Sequence, residues 1–191
     1  MLAYIRYLFS SEELSAFDYG ILCILLDTLD FLPVIILAFL LNHNVWIGAI
    51  FIVELSLLRQ YSGGWHAKSI PLCIVCYSGV FCIFEYCLSF SIDIVFLFSL
   101  CLVSFLYIII YSPVMIPNSY YCNDLIVHNK KRSIISYIIM LGISLILVQF
   151  ALPYAKASML VLLVNTCLMF QLQIVNYWKG RLNDDDSSNH Y

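Results

Sequence analysis

The strongest constraint on this chain is a series of long apolar runs that follow one another with little charge inside them. They cover residues 18–41, 45–58, 72–90, 92–110, 134–152 and 157–177. A helix that crosses a bilayer needs ~20 mostly apolar residues. β-Branched residues are frequent, but these runs are too long for strands, and a helix satisfies its own backbone in lipid. Composition points the same way. Only 11% of residues are charged, against about 25% in a soluble domain. The sequence therefore predicts an all-α integral membrane protein with six transmembrane helices. Residues 1–181 read as a single polytopic unit, and 182–191 as a polar acidic tail that is solvated and disordered. Residues 1–9 alternate aromatic and aliphatic side chains around Arg6, a pattern for a short interfacial helix. No signal peptide is expected, because the first apolar run follows acidic residues and is too long for a signal core.

Charge placement sets the expected orientation. With the N-terminus inside, the inner loops hold Arg6, Arg59, Lys68, Lys130, Lys131, Arg132, Lys179 and Arg181. The outer turns hold only Lys156. The positive-inside rule favours that arrangement, with both termini cytoplasmic. The outer turns read as 42–44, the neighbourhood of Ser91, and 153–156. Net charge is −3 with a single short basic run, which excludes a nucleic-acid surface.

The second apolar run is short. Residues 45–58 make 14 residues, about 21 Å of helix against a hydrocarbon core of about 30 Å. Either the bilayer thins locally, or the residues that follow sit partly at membrane depth. Those residues are the chemically unusual ones. The stretch Arg59-Gln60-Tyr61-Ser62-Gly63-Gly64-Trp65-His66-Ala67-Lys68-Ser69-Ile70-Pro71-Leu72-Cys73 is polar and glycine-rich. Gly63-Gly64 breaks the second helix. Pro71 suits the first turn of the third.

Cys73 would then lie in that first turn, where free N–H groups and the helix dipole favour a thiolate. Cys76 lies one turn deeper in apolar surroundings, so Cys73 is the better nucleophile. His66 precedes Cys73 by seven positions. On one continuous helix the two would stand ~10 Å apart along the axis. A general base must come within about 3 Å of its nucleophile. The chain must therefore fold back between helices 2 and 3, and the glycines and Pro71 supply the breaks. His66 is then the candidate general base for Cys73. The plain alternatives are an interfacial histidine, or a redox or metal role for Cys73 and Cys76. Structural zinc usually takes four ligands, and only His66, Cys73 and Cys76 lie near one another, so no metal or cofactor is expected. Cys23, Cys82, Cys87, Cys101 and Cys167 sit in apolar runs, where cysteine acts as a small hydrophobe.

Asp27, Asp30, Glu54 and Glu85 fall inside apolar runs. Ionisable groups there are costly and are functional candidates by default. Asp27 and Glu54 lie in the inner half, Asp27 and Asp30 share a helix face, and one of these two or Glu54 is a candidate to orient His66. Glu85 lies toward the outer side and is excluded. The competing reading is hydrogen bonding between helices or pairing with Arg59.

Arg59-x-x-Ser62-Gly63-Gly64-x-His66-Ala67, with Cys73 seven residues after the histidine, resembles the signature of the AgrB (accessory gene regulator protein B) family. Tyr19-Gly20, Tyr111-Ser112-Pro113 and the basic run Lys130-Lys131-Arg132 are similar to further family features, so the similarity covers nearly the whole chain. One departure is residues 114–124, which hold no lysine where the family often has a Lys-rich stretch.

The resemblance implies a bacterial plasma-membrane cysteine endopeptidase that processes AgrD-type precursor peptides in quorum sensing. Cys73 would form a thioester with the precursor, and an internal Cys or Ser would close a thiolactone or lactone ring. Backbone N–H groups at Gly63, Gly64 or Cys73 are candidates for an oxyanion hole. Arg59, Lys130, Lys131 and Arg132 are candidates to bind an acidic precursor tail, or to fix topology against anionic lipid. The expected partners are the precursor peptide, membrane lipid and a second copy of the chain. The alternatives are a membrane cysteine hydrolase that does not cyclise, and a non-enzymatic transporter or channel component.

Overall fold

A computed structural model of the chain describes residues 31–41, 44–62, 70–114 and 123–188, with side chains described for all of these except 70, 71, 123–125 and 179–188. The described elements are helices α1 (Phe31–Leu41), α2 (Val45–Ser62), α3 (Ile70–Ser89), α4 (Ile94–Tyr111), α5 (Asn123–Phe150) and α6 (Leu152–Ser188). Helices α2 to α6 are each long and apolar enough to cross a membrane. The described residues are thus all-helical, and five such helices indicate a membrane protein. The described part of the first expected span is the shorter α1. Residues 1–30, with the interfacial segment, Asp27 and Asp30, lie outside the described residues, as do Gly63, Gly64 and His66.

Three expected boundaries move. The second helix runs on to Ser62 instead of stopping at Leu58. Its 18 residues span about 27 Å, so no thinned bilayer is needed. Polar Arg59, Gln60 and Ser62 did not end it, because a helix backbone tolerates polar side chains wherever they find partners or water. The fifth helix begins at Asn123, well before Ile134, so the basic run lies on a helix and not in a loop. The last helix begins at Leu152, which moves the turn expected at 153–156 back to Ala151.

The helix ends have local causes. Asn44 starts α2: its Oδ1 accepts from the Trp46 N–H at 3.1 Å. Asp93 does the same for α4, accepting from the Val95 N–H at 2.8 Å. Such caps satisfy one of the N–H groups that a helix start leaves unpaired. α2 ends at Ser62, directly before the two glycines, and α3 begins at Ile70, directly before Pro71.

α6 is the hub and packs against α2, α3, α4 and α5. Its first turns carry Ala155, Ala157 and Ser158, all buried. Small residues let helix backbones approach closely where lipid supplies no hydrophobic drive for association. α1 packs on α2 by the same device, with Ala38 against Gly48. α3 joins α2 through rings: Phe51 stands 5.1 Å from Phe81, 5.0 Å from Phe84 and 5.7 Å from Tyr77 between centroids.

Side-chain bonds fix the helix directions. Asn44 pairs with Tyr154, Glu54 with Ser158, and Ser62 with Asn165, so α2 and α6 run parallel. Cys101 pairs with Met159 and Tyr107 with Gln173, so α4 runs the same way. α3 and α5 return through short connections. One end of the bundle therefore gathers the finish of α2 and α4 and the start of α3 and α5.

Candidate functional site

Among the described residues, that end holds most of the chemistry marked in the sequence. Cys73 is the fourth residue of α3, in its first turn. Tyr77 lies one turn further on, and the Arg59 guanidinium stands 5.8 Å from its ring centroid. An Arg over an aromatic face is held by the ring's quadrupole. Arg59 is thereby drawn to the face of α3 that carries Cys73, since residues four apart on a helix are neighbours. Cys76 is half-buried, as Cys73 is, so exposure alone does not separate them. No disulfide joins Cys73, Cys76, Cys82, Cys87, Cys101 and Cys167 to one another.

The basic run sits at the same end. The Arg132 guanidinium lies 5.5 Å from the Tyr61 ring centroid, next to the last residue of α2. Lys131 and Arg132 are exposed and Lys130 is half-buried. Arg59, Lys130, Lys131 and Arg132 therefore share one rim with Cys73, whereas Lys156 stands in the first turn of α6 at the opposite end.

Ser62 closes α2 with two anchors. Its backbone carbonyl accepts from the Val114 N–H at 2.9 Å, which ties α2 to the chain just past α4. Its hydroxyl donates to Asn165 Oδ1 on α6 at 3.3 Å, and both side chains are fully buried. The Asn165 amide in turn reaches Met169 Sδ at 3.8 Å.

Glu54 is buried two turns before Ser62. Ser158 Oγ lies 2.8 Å and 2.9 Å from its two carboxylate oxygens. Ser144 Oγ lies 2.6 Å from Ser158 Oγ and 2.8 Å from the Met140 carbonyl oxygen. The network joins α2, α5 and α6 in the middle of the bundle. Of the carboxylates considered as orienters of His66, Glu54 is engaged here, and Asp27 and Asp30 lie outside the described residues. Glu85 is buried in the last turns of α3, toward the end away from Cys73.

A cavity of about 600 Å³ opens between α2 and α5. Trp46, Ile50, Val53, Ile143 and Tyr154 line it, with Glu54 at one edge. Trp46 and Tyr154 belong to the starts of α2 and α6, so it lies toward the end remote from Cys73.

Sequence reading passed over Asn165, Ser158 and Ser144. Each is a polar residue inside an apolar run, Asn165 directly before Thr166. The available signal was their cost: a polar group inside a membrane segment faces the bundle and finds a partner. Ser158 and Asn165 are seven apart, two turns of one helix face.

The fold and this rim define a polytopic membrane protein whose cysteine, basic residues and buried polar anchors meet at one end of the bundle. The family model described as AgrB, Accessory gene regulator B, matches residues 3–174, and the chain belongs to that family. Membership associates it with accessory gene regulator autoinducer processing and implies a peptide substrate of the AgrD type. No curated protein matches. No solved structure matches.

Proposed function

We propose that the protein is a membrane cysteine endopeptidase that matures an AgrD-type precursor. The observation that carries this reading is Cys73 in the first turn of α3, on the rim where Arg59 and the basic run meet, within a chain of this family. His66 takes the thiol proton and Cys73 attacks a carbonyl in the C-terminal part of the precursor. A C–S bond forms and the peptide C–N bond breaks. His66 returns the proton to the leaving amine, and the C-terminal fragment departs. The acyl group now sits on Cys73 as a thioester. A thiol or hydroxyl inside the precursor attacks it, forms the thiolactone or lactone and frees Cys73. Thioester exchange roughly conserves free energy, so a rim that limits water favours the ring over hydrolysis. Oxyanion donors come from the Gly63, Gly64 or Cys73 backbone.

Six spans, with the chain folded back between the second and third, bring His66 to Cys73. The basic rim faces the cytoplasm of the bacterial plasma membrane, as the positive-inside rule favours, and both termini lie on that side. Arg59, Lys130, Lys131 and Arg132 hold an acidic precursor tail, and an amphipathic precursor leader lies in the interface beside them. The protein works as a homodimer. Asp27 is the favoured orienter of His66, because Glu54 is already bonded to Ser158.

The test is co-expression with an AgrD-type precursor, followed by mass spectrometry. Wild type should yield a cyclic product and a released tail. Cys73→Ala and His66→Ala should each abolish both. Cleavage that persists in Cys73→Ala refutes the mechanism, and a linear product would assign simple hydrolysis instead.

A further inference from the structure

A fully buried amide on α6 holds the end of α2. Asn165 Oδ1 accepts from the Ser62 hydroxyl at 3.3 Å, and neither side chain is exposed to solvent. Ser62 also carries the Val114 N–H on its carbonyl at 2.9 Å. A buried asparagine in a membrane helix is expensive to keep. Its Nδ2 hydrogen bond to the Met169 thioether at 3.8 Å is a weak one. Much of the amide's worth therefore lies in what its oxygen holds, which is the last residue of α2.

Two things hang on that residue. One is the final turn of α2, from which Arg59 reaches the Tyr77 ring, one turn along α3 from Cys73. The other is the chain that leaves Ser62 toward Gly63. Ser62 is held there on two sides. The hydroxyl ties it to the hub helix, and the carbonyl ties it to the chain past α4.

We propose that Asn165 is a positioning residue: through Ser62 it fixes the end of α2 relative to the Cys73 turn of α3, and so sets the reactivity of Cys73. This rests on the reading of His66 and Cys73 as a base and nucleophile pair. Asn165 itself touches neither substrate nor thiol. A misplaced base costs part of the ~10²–10⁴-fold that general base catalysis supplies.

The test needs no precursor. The full chain in native membranes is treated with N-ethylmaleimide at pH 7, and adducts at Cys73 and Cys76 are followed separately by peptide mass spectrometry. Wild type, Asn165→Ala, Ser62→Ala, the double variant and His66→Ala are compared. Asn165→Ala and Ser62→Ala should each slow Cys73 modification roughly tenfold, with Cys76 unchanged. The double variant should be no slower than either single one, because both remove the same bond. If Asn165→Ala does not accumulate in membranes, Ser62→Ala, a smaller change, decides alone. Cys73 reactivity within twofold of wild type in these variants overturns the proposal. So does faster modification of Cys73 and Cys76 together, which marks general loosening of the bundle. His66→Ala reports on the dyad by itself: if it leaves Cys73 reactivity unchanged, the catalytic reading fails whatever Asn165 does.

Discussion

At the scale of single residues, several buried polar groups of the bundle bond one another across helices. Glu54, Ser158 and Ser144 form one continuous set of short contacts across three helices. Removing one member of such a set leaves the others buried and under-bonded, at about 1–3 kcal/mol per orphaned group. Glu54→Gln keeps the shape and an acceptor for Ser158, whereas Glu54→Leu strands the serine. Glu54→Leu should therefore lose about 1–3 kcal/mol of stability, and Glu54→Gln less than half of that. Unfolding in mixed micelles with increasing sodium dodecyl sulfate would measure both. Equal losses would show that volume and not hydrogen bonding governs the site. If Glu54 only ties helices, Glu54→Gln should also retain precursor cleavage. Loss of cleavage in a stably folded Glu54→Gln would return it to the candidates for orienting His66.

At the scale of elements, α1 and α2 meet through a glycine that has no room to grow. A Cβ on Gly48 would stand 2.7 Å from the Ala38 Cβ. Both belong to helices, so relief requires the helices to part. Gly48→Ala should destabilise by roughly 1–3 kcal/mol, the usual cost of overpacking. Gly79 on α3 is the control, since nothing lies within 4 Å of its added Cβ. Gly79→Ala should be neutral, or stabilising by up to about 1 kcal/mol, because alanine loses less backbone entropy in a helix. Thermal aggregation midpoints of the two purified variants in one detergent give the comparison. A drop for Gly79→Ala as large as that for Gly48→Ala would remove the close-approach argument.

At the scale of the whole molecule, charge and connectivity act together. The parallel run of α2, α4 and α6 puts Arg59 and the 130–132 run at one end and Lys156 at the other. Each basic residue near an anionic surface is worth about 1 kcal/mol, so the rim holds its side of the membrane firmly. Cysteine placed at Lys156 should react with an impermeant maleimide added outside intact cells. Cysteine placed at Lys131 should react only after permeabilisation. The reverse pattern would invert the topology. Neutralising Lys130, Lys131 and Arg132 together with glutamine should raise the KM for an acidic-tailed precursor at least tenfold while leaving kcat within about threefold. Loss confined to surface charge removes binding common to ground and transition states. A fall in kcat at unchanged KM would show that the run does not hold the tail.

Much of this was legible from local pattern. Apolar runs and glycine breaks required a helical membrane protein, because unbonded backbone cannot persist in lipid. Arg59, Ser62, Gly63, Gly64, His66 and Cys73 stood out by order and spacing, which are properties of the chain alone. Helix ends were less legible. α2 continues through Arg59 to Ser62, because Arg59 has the Tyr77 ring and Ser62 has Asn165, partners 18 and 103 positions away. Propensity windows do not reach that far. Asn165, Ser158 and Ser144 give no local signal beyond their polarity in an apolar segment, because their partners lie on other helices packed around α6. The sequence by itself determined which solvent this chain folds in and which residues are candidates for its chemistry. Only the tertiary structure decided which polar groups meet, because a buried hydrogen bond depends on angstrom distances between helices that no local pattern encodes.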